Sequence, residues 1–194
     1  METGRLEAFS DGVMAIIITI MVLELKVPRS PALSALQPLW PVFLSYTLSY
    51  LYLGIYWNNH HHLLQATKCV NGRILWANLH LLFWLSLIPF VTGWMGENDF
   101  AALPVGLYGG VLFASAIAYA MLSRMLTSHP GNKSILSEAL GRDVKGKLSI
   151  AAYVFAISLA FVAPWAACVV YASVAAMWLI PDRRIETILS RRKR

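Results

Sequence analysis

Charged residues are scarce in this chain: Asp, Glu, Lys and Arg make up 13% of its 194 residues, whereas 58% are hydrophobic. The mean hydropathy is +0.59, which excludes an ordinary water-soluble domain and indicates a polytopic membrane protein. The net charge of +6 comes from basic residues grouped between apolar runs and in the tail. Orientation in a membrane explains this pattern more simply than nucleic-acid binding, so we expect no nucleic-acid partner.

Cysteine is also rare, with Cys69 and Cys168 the only two in the chain. The topology derived below places them near opposite sides of the bilayer, so we expect no disulfide between them. The sequence contains no nucleophile elbow, no H-E-x-x-H motif and no phosphate-binding loop. We therefore expect no enzymatic activity, no bound metal and no cofactor.

The first apolar segment has a regular face. From Val13 to Leu23 only Thr19 has a polar side chain, and such a helix satisfies its own backbone groups in lipid. At about 100° per residue, Ile16, Ile20 and Leu23 fall on one stripe with Thr19 at its edge. Helical geometry alone does not say whether this stripe faces a pore, lipid or another helix.

Ser10 and Asp11 form a polar corner at the inner end of the same segment. An unpaired carboxylate within a membrane costs on the order of 3 kcal/mol, so the corner requires hydrogen-bond partners. One interpretation is ordinary helix capping, with Arg5 as an anchor at the membrane interface. The other is pairing with polar groups on neighbouring helices.

The apolar runs predict an all-α protein with one six-helix domain covering 1–194 and no internal repeat. Pro89 is expected to kink the third helix, and Pro164 divides a final run that is too long for one span. Both termini are placed in the cytoplasm, because this puts most basic residues, including those at 183–194, on the inner side. The approximate helices are 7–26, 40–64, 74–95, 103–126, 148–162 and 164–180.

Small residues recur at every fourth position of the fourth predicted helix. They are Gly106, Gly110, Ala114 and Ala118. Small residues at this spacing let helix backbones approach closely in membranes. We therefore expect this ridge to pack against a neighbouring helix.

Three consecutive histidines, His60, His61 and His62, end the second predicted helix. Neighbouring helical residues diverge by about 100°, so the three side chains cannot all bind one ion, although two of them with His80 are compatible with a metal site. The alternative is a partly solvated helix end, in which His61 pairs with the polar corner and the other two reach water. In that case the activity of the protein is expected to respond to pH near the usual imidazole pKa of about 6.5.

Arg5, Phe9, Ser10 and Asp11 stand as R-x-x-x-F-S-D, a pattern that resembles the signature of the TMEM175 family of potassium channels. Y-W-N-N-H-H at 56–61, S-L-I-P-F at 86–90, and A-P-W and L-I-P-D-R-R near the end also resemble the prokaryotic members. The resemblance covers nearly the whole chain. It implies a homotetramer of six-helix subunits around a central pore, embedded in the lipid bilayer of a prokaryotic plasma membrane.

The resemblance also implies which residues line that pore. The family's lining positions, carried over at five, eight, nine and twelve residues after the motif aspartate, are Ile16, Thr19, Ile20 and Leu23. The chain contains no T-V-G-Y-G-like loop, so the usual potassium-channel filter is not expected. We predict a potassium-permeable cation channel whose passive transport passes a hydrophobic constriction, with Thr19 hydroxyls as the only side-chain oxygens at mid-depth.

In such a channel, Ser10 and Asp11 are expected to bond to other helices and so to fix the tilt of the first helix and the pore radius. The candidate partners are Trp57, Asn58, His61 and Asn78. Two other functions are compatible with the sequence. A secondary ion transporter is expected to have inverted repeats or broken helices, of which only Pro89 gives a hint, and a non-conducting membrane scaffold is expected to show no flux.

Overall fold

The computed structural model describes residues 3–67, 69–129 and 143–179. The architecture over these ranges is all-α, which confirms the predicted fold class. The basic tail at 183–194 and most of the loop before the fifth predicted helix lie outside the described residues. The α-helices are α1 (Thr3–Ile20), α2 (Trp40–Gln65), α3 (Gly72–Ser86), α4 (Ile88–Glu97), α5 (Ala102–Ser128), α6 (Val144–Ala160) and α7 (Pro164–Leu179).

These helices correspond to six spans, because α3 and α4 form one broken segment. Three segments of the described chain are long and apolar enough to cross a membrane, namely Thr3–Glu24, Gly72–Glu97 and Ala102–Ser128. Helix α2 has 26 residues, which at about 1.5 Å per residue exceeds the thickness of a hydrocarbon core. The shorter α6 and α7 pack against each other as a helical hairpin.

Prolines mark two of the helix breaks. Helix α3 ends at Ser86, and α4 begins at Ile88 with Pro89 in its first turn. Because proline has no N–H to donate, the break falls where the sequence predicted a kink. Pro164 is the first residue of α7, a position at which its missing N–H costs nothing.

Helix α1 has one packed face and one open face. It contacts α2, α3 and α4, and a 3₁₀ turn at Met21–Glu24 continues it. Its buried side chains, including one in that turn, are Leu6, Ser10, Met14, Ile17 and Met21. On the opposite face, Ile16 is 58% exposed. The first helix therefore gives only one side to the core of the chain.

Buried hydroxyl groups connect three helices near the middle of the bundle. Thr92 Oγ1 on α4 lies 2.6 Å from Ser49 Oγ on α2, and Ser49 Oγ donates to the Tyr108 hydroxyl on α5 at 3.0 Å. All three side chains are buried. Because hydrocarbon offers no other hydrogen-bond partner, these bonds favour one relative position of the three helices.

Helix α5 is approached most closely at Gly109, which lies outside the predicted ridge. A Cβ at this position would overlap the Tyr171 hydroxyl and lie 2.9 Å from Ile157 Cγ1. A Cβ at Gly110 would meet no atom within 4 Å, whereas one at Gly106 would lie 3.2 Å from Phe161 Cζ. The predicted ridge is therefore wrong at Gly110, because α6 and α7 pack against Gly109 instead.

An ion pair joins two segments at the opposite end of the bundle from the polar corner. Lys26 Nζ lies 2.5 Å from Glu97 Oε1, and both side chains are exposed. The hydrogen bond to Glu97, followed by the charge of that carboxylate, raises the pKa of Lys26 above its ordinary value. Lys26 therefore stays charged at any physiological pH, and solvent screening keeps the contribution of the pair to stability small.

Candidate functional site

The open face of α1 carries the four residues predicted to line a pore. Ile16, Ile20 and Leu23 are 58%, 45% and 75% exposed, and Thr19 is exposed between them. The Thr19 hydroxyl lies 2.9 Å from the carbonyl oxygen of Ala15, a local bond that leaves the hydroxyl lone pairs available. The structure brings the four side chains to one surface, and their role as a pore lining stays a prediction.

A buried hydrogen-bond chain holds the packed face of α1. Asn78 Nδ2 on α3 donates to Ser10 Oγ at 2.9 Å, and Ser10 Oγ donates to the Leu6 carbonyl at 2.8 Å. Asn78 Oδ1 and His60 Nε2 are 2.7 Å apart. An amide oxygen only accepts, so His60 Nε2 carries the proton in this bond. The chain links α1, α2 and α3, and Ser10, His60 and Asn78 are at most 1% exposed.

A second set of contacts lies beside this chain, between α1 and the C-terminal part of α2. Trp57 Nε1 donates to Asp11 Oδ1 at 3.0 Å, and the Trp57 ring stacks on the His61 imidazole with centroids 5.8 Å apart. His61 Nδ1 is 3.0 Å from Glu7 Oε1, although the two are not aligned as a hydrogen bond. His61 Nε2 lies 2.8 Å from Gln65 Nε2.

The structure brings together some of the residues predicted for the interhelical network and leaves out others. Those it places in hydrogen bonds between helices are Ser10, Asp11, Trp57 and Asn78. Arg5, Phe9 and Asn58 are exposed, and none of the three has a side-chain hydrogen bond among the described residues. Helical geometry places Arg5 and Phe9 on the open face of α1 with Ile16, which explains why they do not reach α2 or α3.

The histidine run differs from the prediction. One of the two interpretations placed His60 in contact with water, which is wrong, because its side chain is 1% exposed and bonds to Asn78. His61 contacts Glu7 and Trp57 rather than Ser10. His80, considered as a third metal ligand, is exposed and accepts a bond from Trp84 Nε1 at 2.9 Å. Among the described residues, it belongs to no group of three potential ligands with metal-binding spacing.

Glu7 belongs to the site, and sequence reasoning missed it. The signal that indicates its position is its spacing of four residues from Asp11, which places both carboxylates on the same side of α1. Ligand atoms of Glu7, Asp11 and His61 all lie within 4.8 Å of one another. Within the described part of the chain, neither carboxylate has a Lys or Arg within 4.0 Å.

Comparison with known proteins gives consistent matches. The model of a family described as endosomal/lysosomal potassium channel TMEM175 matches residues 5–89. A potassium channel of Chryseobacterium sp. (strain P1-3) is 56% identical over 189 residues, which cover 97% of this chain and 98% of that protein. A potassium channel of Chamaesiphon minutus is 30% identical over 180 residues, which cover 84% of this chain and 87% of that protein.

A solved structure matches the fold as well. It is the crystal structure of a lysosomal potassium-selective channel TMEM175 homolog from Chamaesiphon minutus, with a TM-score of 0.79 and 29% sequence identity. The match covers 92% of this chain and 96% of that chain. The agreement therefore extends beyond the segment that the family model matches and includes the helices after residue 89.

Proposed function

The chain belongs to the TMEM175 family of channels, and from that premise we propose that it conducts potassium through a central pore lined by α1 of each subunit of a homotetramer. The protein is a membrane potassium channel and not an enzyme. The observation that supports α1 as the pore helix is its open stripe of Ile16, Thr19, Ile20 and Leu23, which the subunit itself leaves uncovered.

The composition of this stripe favours a pore over lipid contact. Large aromatic side chains occupy the open faces of other helices, where Trp76, Phe83 and Phe90 are 75%, 55% and 63% exposed. Such residues suit lipid and its interfaces. The stripe from Ile16 to Leu23 has no aromatic residue and contains one hydroxyl. A single helix cannot enclose a path, so the pore requires several copies of the chain, and the family resemblance supports a homotetramer.

Ion passage through this pore depends on hydration. Between residues 12 and 23 the chain has no Asp, Glu, Lys or Arg, so no side-chain charge compensates an ion there. Rings of isoleucine and leucine exclude water when narrow, and opening must widen them until a partly hydrated ion fits. Potassium gives up its hydration shell more easily than sodium, and Thr19 hydroxyls supply oxygens at mid-depth. The expected result is modest selectivity for potassium.

The contacts on the other face of α1 set the position of this stripe. Bonds from Ser10 to Asn78 and from Asp11 to Trp57 fasten the inner half of α1 to α3 and α2. Interhelical hydrogen bonds in membranes contribute roughly 0.6–2 kcal/mol each. They hold the helix in one orientation, so that Ile16 and Ile20 face the axis and the tilt of α1 determines the pore radius.

We propose a prokaryotic plasma membrane as the location, with both termini in the cytoplasm. The distribution of basic residues along the sequence supports this orientation, because Arg and Lys favour the inner side of the membrane. Bacterial relatives such as the Chryseobacterium channel support the type of membrane. Reaction of single cysteines introduced at Thr3 and at Arg29 with an impermeant reagent on intact cells tests the orientation, because only the latter is expected to react from outside.

Ion flux from the purified full chain in liposomes tests the pore, with potassium compared against sodium. Ile16→Asn places an amide in the proposed constriction and is expected to increase flux. Val154→Asn is the matched control, because Val154 is 51% exposed on α6, far from the stripe, and flux is expected to stay at the wild-type level. Equal effects of both variants would contradict the pore assignment. Saturable flux coupled to a second ion would indicate a transporter, and absence of flux a scaffold.

A further inference from the structure

We propose that Glu7, Asp11 and His61 form a binding site for a divalent transition-metal ion, with Zn²⁺ the best suited, that bridges α1 and α2 at the inner end of the channel. The site differs from the one considered from the sequence, which combined histidines of the 60–62 run with His80. It also departs from the expectation that the chain binds no metal. The metal would be regulatory, because the site lies away from the stripe that carries the ions.

The distances among the three side chains suit a small cation. Their ligand atoms all lie within 4.8 Å of one another, and His61 Nδ1 is 3.0 Å from Glu7 Oε1. In tetrahedral coordination with bonds of about 2.1 Å, neighbouring ligand atoms lie about 3.4 Å apart. Small rotations of partly exposed side chains are enough to reach this spacing. Three protein ligands leave the fourth position for water.

The charges at the site favour a dication. Glu7 and Asp11 are one helical turn apart on α1, and neither has a Lys or Arg within 4.0 Å among the residues that the structure describes. His61 Nδ1 is buried and has no hydrogen-bond partner there, although it lies beside the Glu7 carboxylate. An ion with two positive charges neutralises both carboxylates and accepts the lone pair of the imidazole nitrogen.

Two neighbouring side chains orient the ligands. Trp57 Nε1 holds Asp11 Oδ1, which leaves Oδ2 for a metal. Gln65 Nε2 lies 2.8 Å from His61 Nε2, and a 180° turn of its amide presents the oxygen instead. His61 then donates Nε2–H to that oxygen, and Nδ1 keeps a lone pair for coordination. Imidazole combined with carboxylates favours zinc over magnesium or calcium, which prefer oxygen ligands alone.

Direct metal binding to the purified full-length protein tests the site. Equilibrium dialysis is expected to show one Zn²⁺ per chain, and Co²⁺ is expected to give visible absorption bands of a four-coordinate site. Glu7→Gln and His61→Gln are each expected to weaken Zn²⁺ binding by at least about tenfold and to abolish the Co²⁺ bands. His80→Gln is the matched control, because His80 is an exposed histidine on α3, and binding is expected to be unchanged.

Binding by both variants at the wild-type level, or loss of binding in His80→Gln alone, would overturn the site. Thermal unfolding of each variant checks that it is folded, and Glu7→Gln is the milder change because the Glu7 side chain is only partly buried. The effect of the metal on conduction rests on the proposed function, since a metal that fastens α1 to α2 is expected to change potassium flux in wild type and not in Glu7→Gln. Binding of one Zn²⁺ per chain without a change in potassium flux would support the metal site and refute its role in gating.

Discussion

His60 and Asn78, 18 residues apart in sequence, meet in a 2.7 Å hydrogen bond inside the bundle. Asn78 uses its other polar atom to donate to Ser10. One amide therefore satisfies groups on two other helices at a depth where water is excluded. This arrangement links α1 and α2 through α3, in addition to the direct bond between Asp11 and Trp57.

Replacing Asn78 by Leu is expected to destabilise the protein by about 1–3 kcal/mol, because Ser10 and His60 then lose their common partner while remaining buried. The measurement is the midpoint of thermal unfolding in detergent. Asn58→Leu is the matched control, since Asn58 lies on α2 with its side chain exposed, and its midpoint is expected to be close to that of wild type. Equal midpoints for all three proteins would refute the role of Asn78.

Replacing Asp11 by Ala is expected to disrupt assembly or gating rather than to change ion preference, because Trp57 loses the acceptor of its 3.0 Å bond. Asp11→Asn keeps an oxygen at the same place and is expected to be milder. Oligomer mass and potassium flux measure the two effects. Trp57→Phe and the double variant of Asp11→Ala with Trp57→Phe complete a double-mutant cycle. If the effects of the two single changes simply add in the double variant, this would argue against a direct coupling between Asp11 and Trp57. Normal oligomers with normal flux in Asp11→Ala would count against the proposal.

Removing the Thr19 hydroxyl is expected to reduce the preference for potassium over sodium by a few-fold and to leave folding intact, because the side chain is exposed and bonds only within α1. Thr19→Val keeps the shape and removes the oxygen, and Thr19→Ser keeps the oxygen. Reversal potentials in bilayer recordings measure the permeability ratio. An unchanged ratio in Thr19→Val would mean that selectivity arises elsewhere.

Adding a methyl group at Gly109 is expected to destabilise the protein by about 1–3 kcal/mol, because the new Cβ would overlap the hydroxyl of buried Tyr171. That hydroxyl donates to the Val105 carbonyl at 3.3 Å, so it cannot move without losing a bond. Gly110→Ala provides the control, since a Cβ there meets no atom within 4 Å. It is expected to be neutral or to stabilise the helix by up to about 1 kcal/mol. Similar unfolding midpoints for both variants would contradict this packing.

The sequence predicted the features that depend on local chemistry. Pro89 and Pro164 interrupt hydrogen bonding wherever they occur in a helix, so the breaks that they cause follow from the chain alone. The stripe on α1 follows from a constant angle between successive residues, and Ile16 and Ile20 are both exposed as that angle requires. Asn78 was among the partners predicted for Ser10, and the two side chains do form a hydrogen bond, because a buried amide in a membrane helix has few other partners.

Other features depend on how whole helices rotate against one another, which periodicity does not fix. His60 and His61 differ by about 100° around α2, and only the packing of α3 decides that His60 is the buried one. The same limit explains why Gly109 rather than Gly110 on α5 packs against α6 and α7. Glu7 was detectable from its spacing to Asp11, but the significance of that spacing depends on His61 approaching from another helix.

The 3₁₀ turn at Met21–Glu24 affects the C-terminal end of the stripe. In such a turn, residues three apart eclipse each other and are separated by about 6 Å along the axis. Leu23 consequently stands nearly above Ile20, instead of being rotated by about 60° from it as in a regular α-helix. Under the proposed assignment of α1 as the pore helix, successive rings of these side chains would therefore align into a short apolar passage. An ion would then travel the length of this passage with a reduced water shell, rather than pass a single ring.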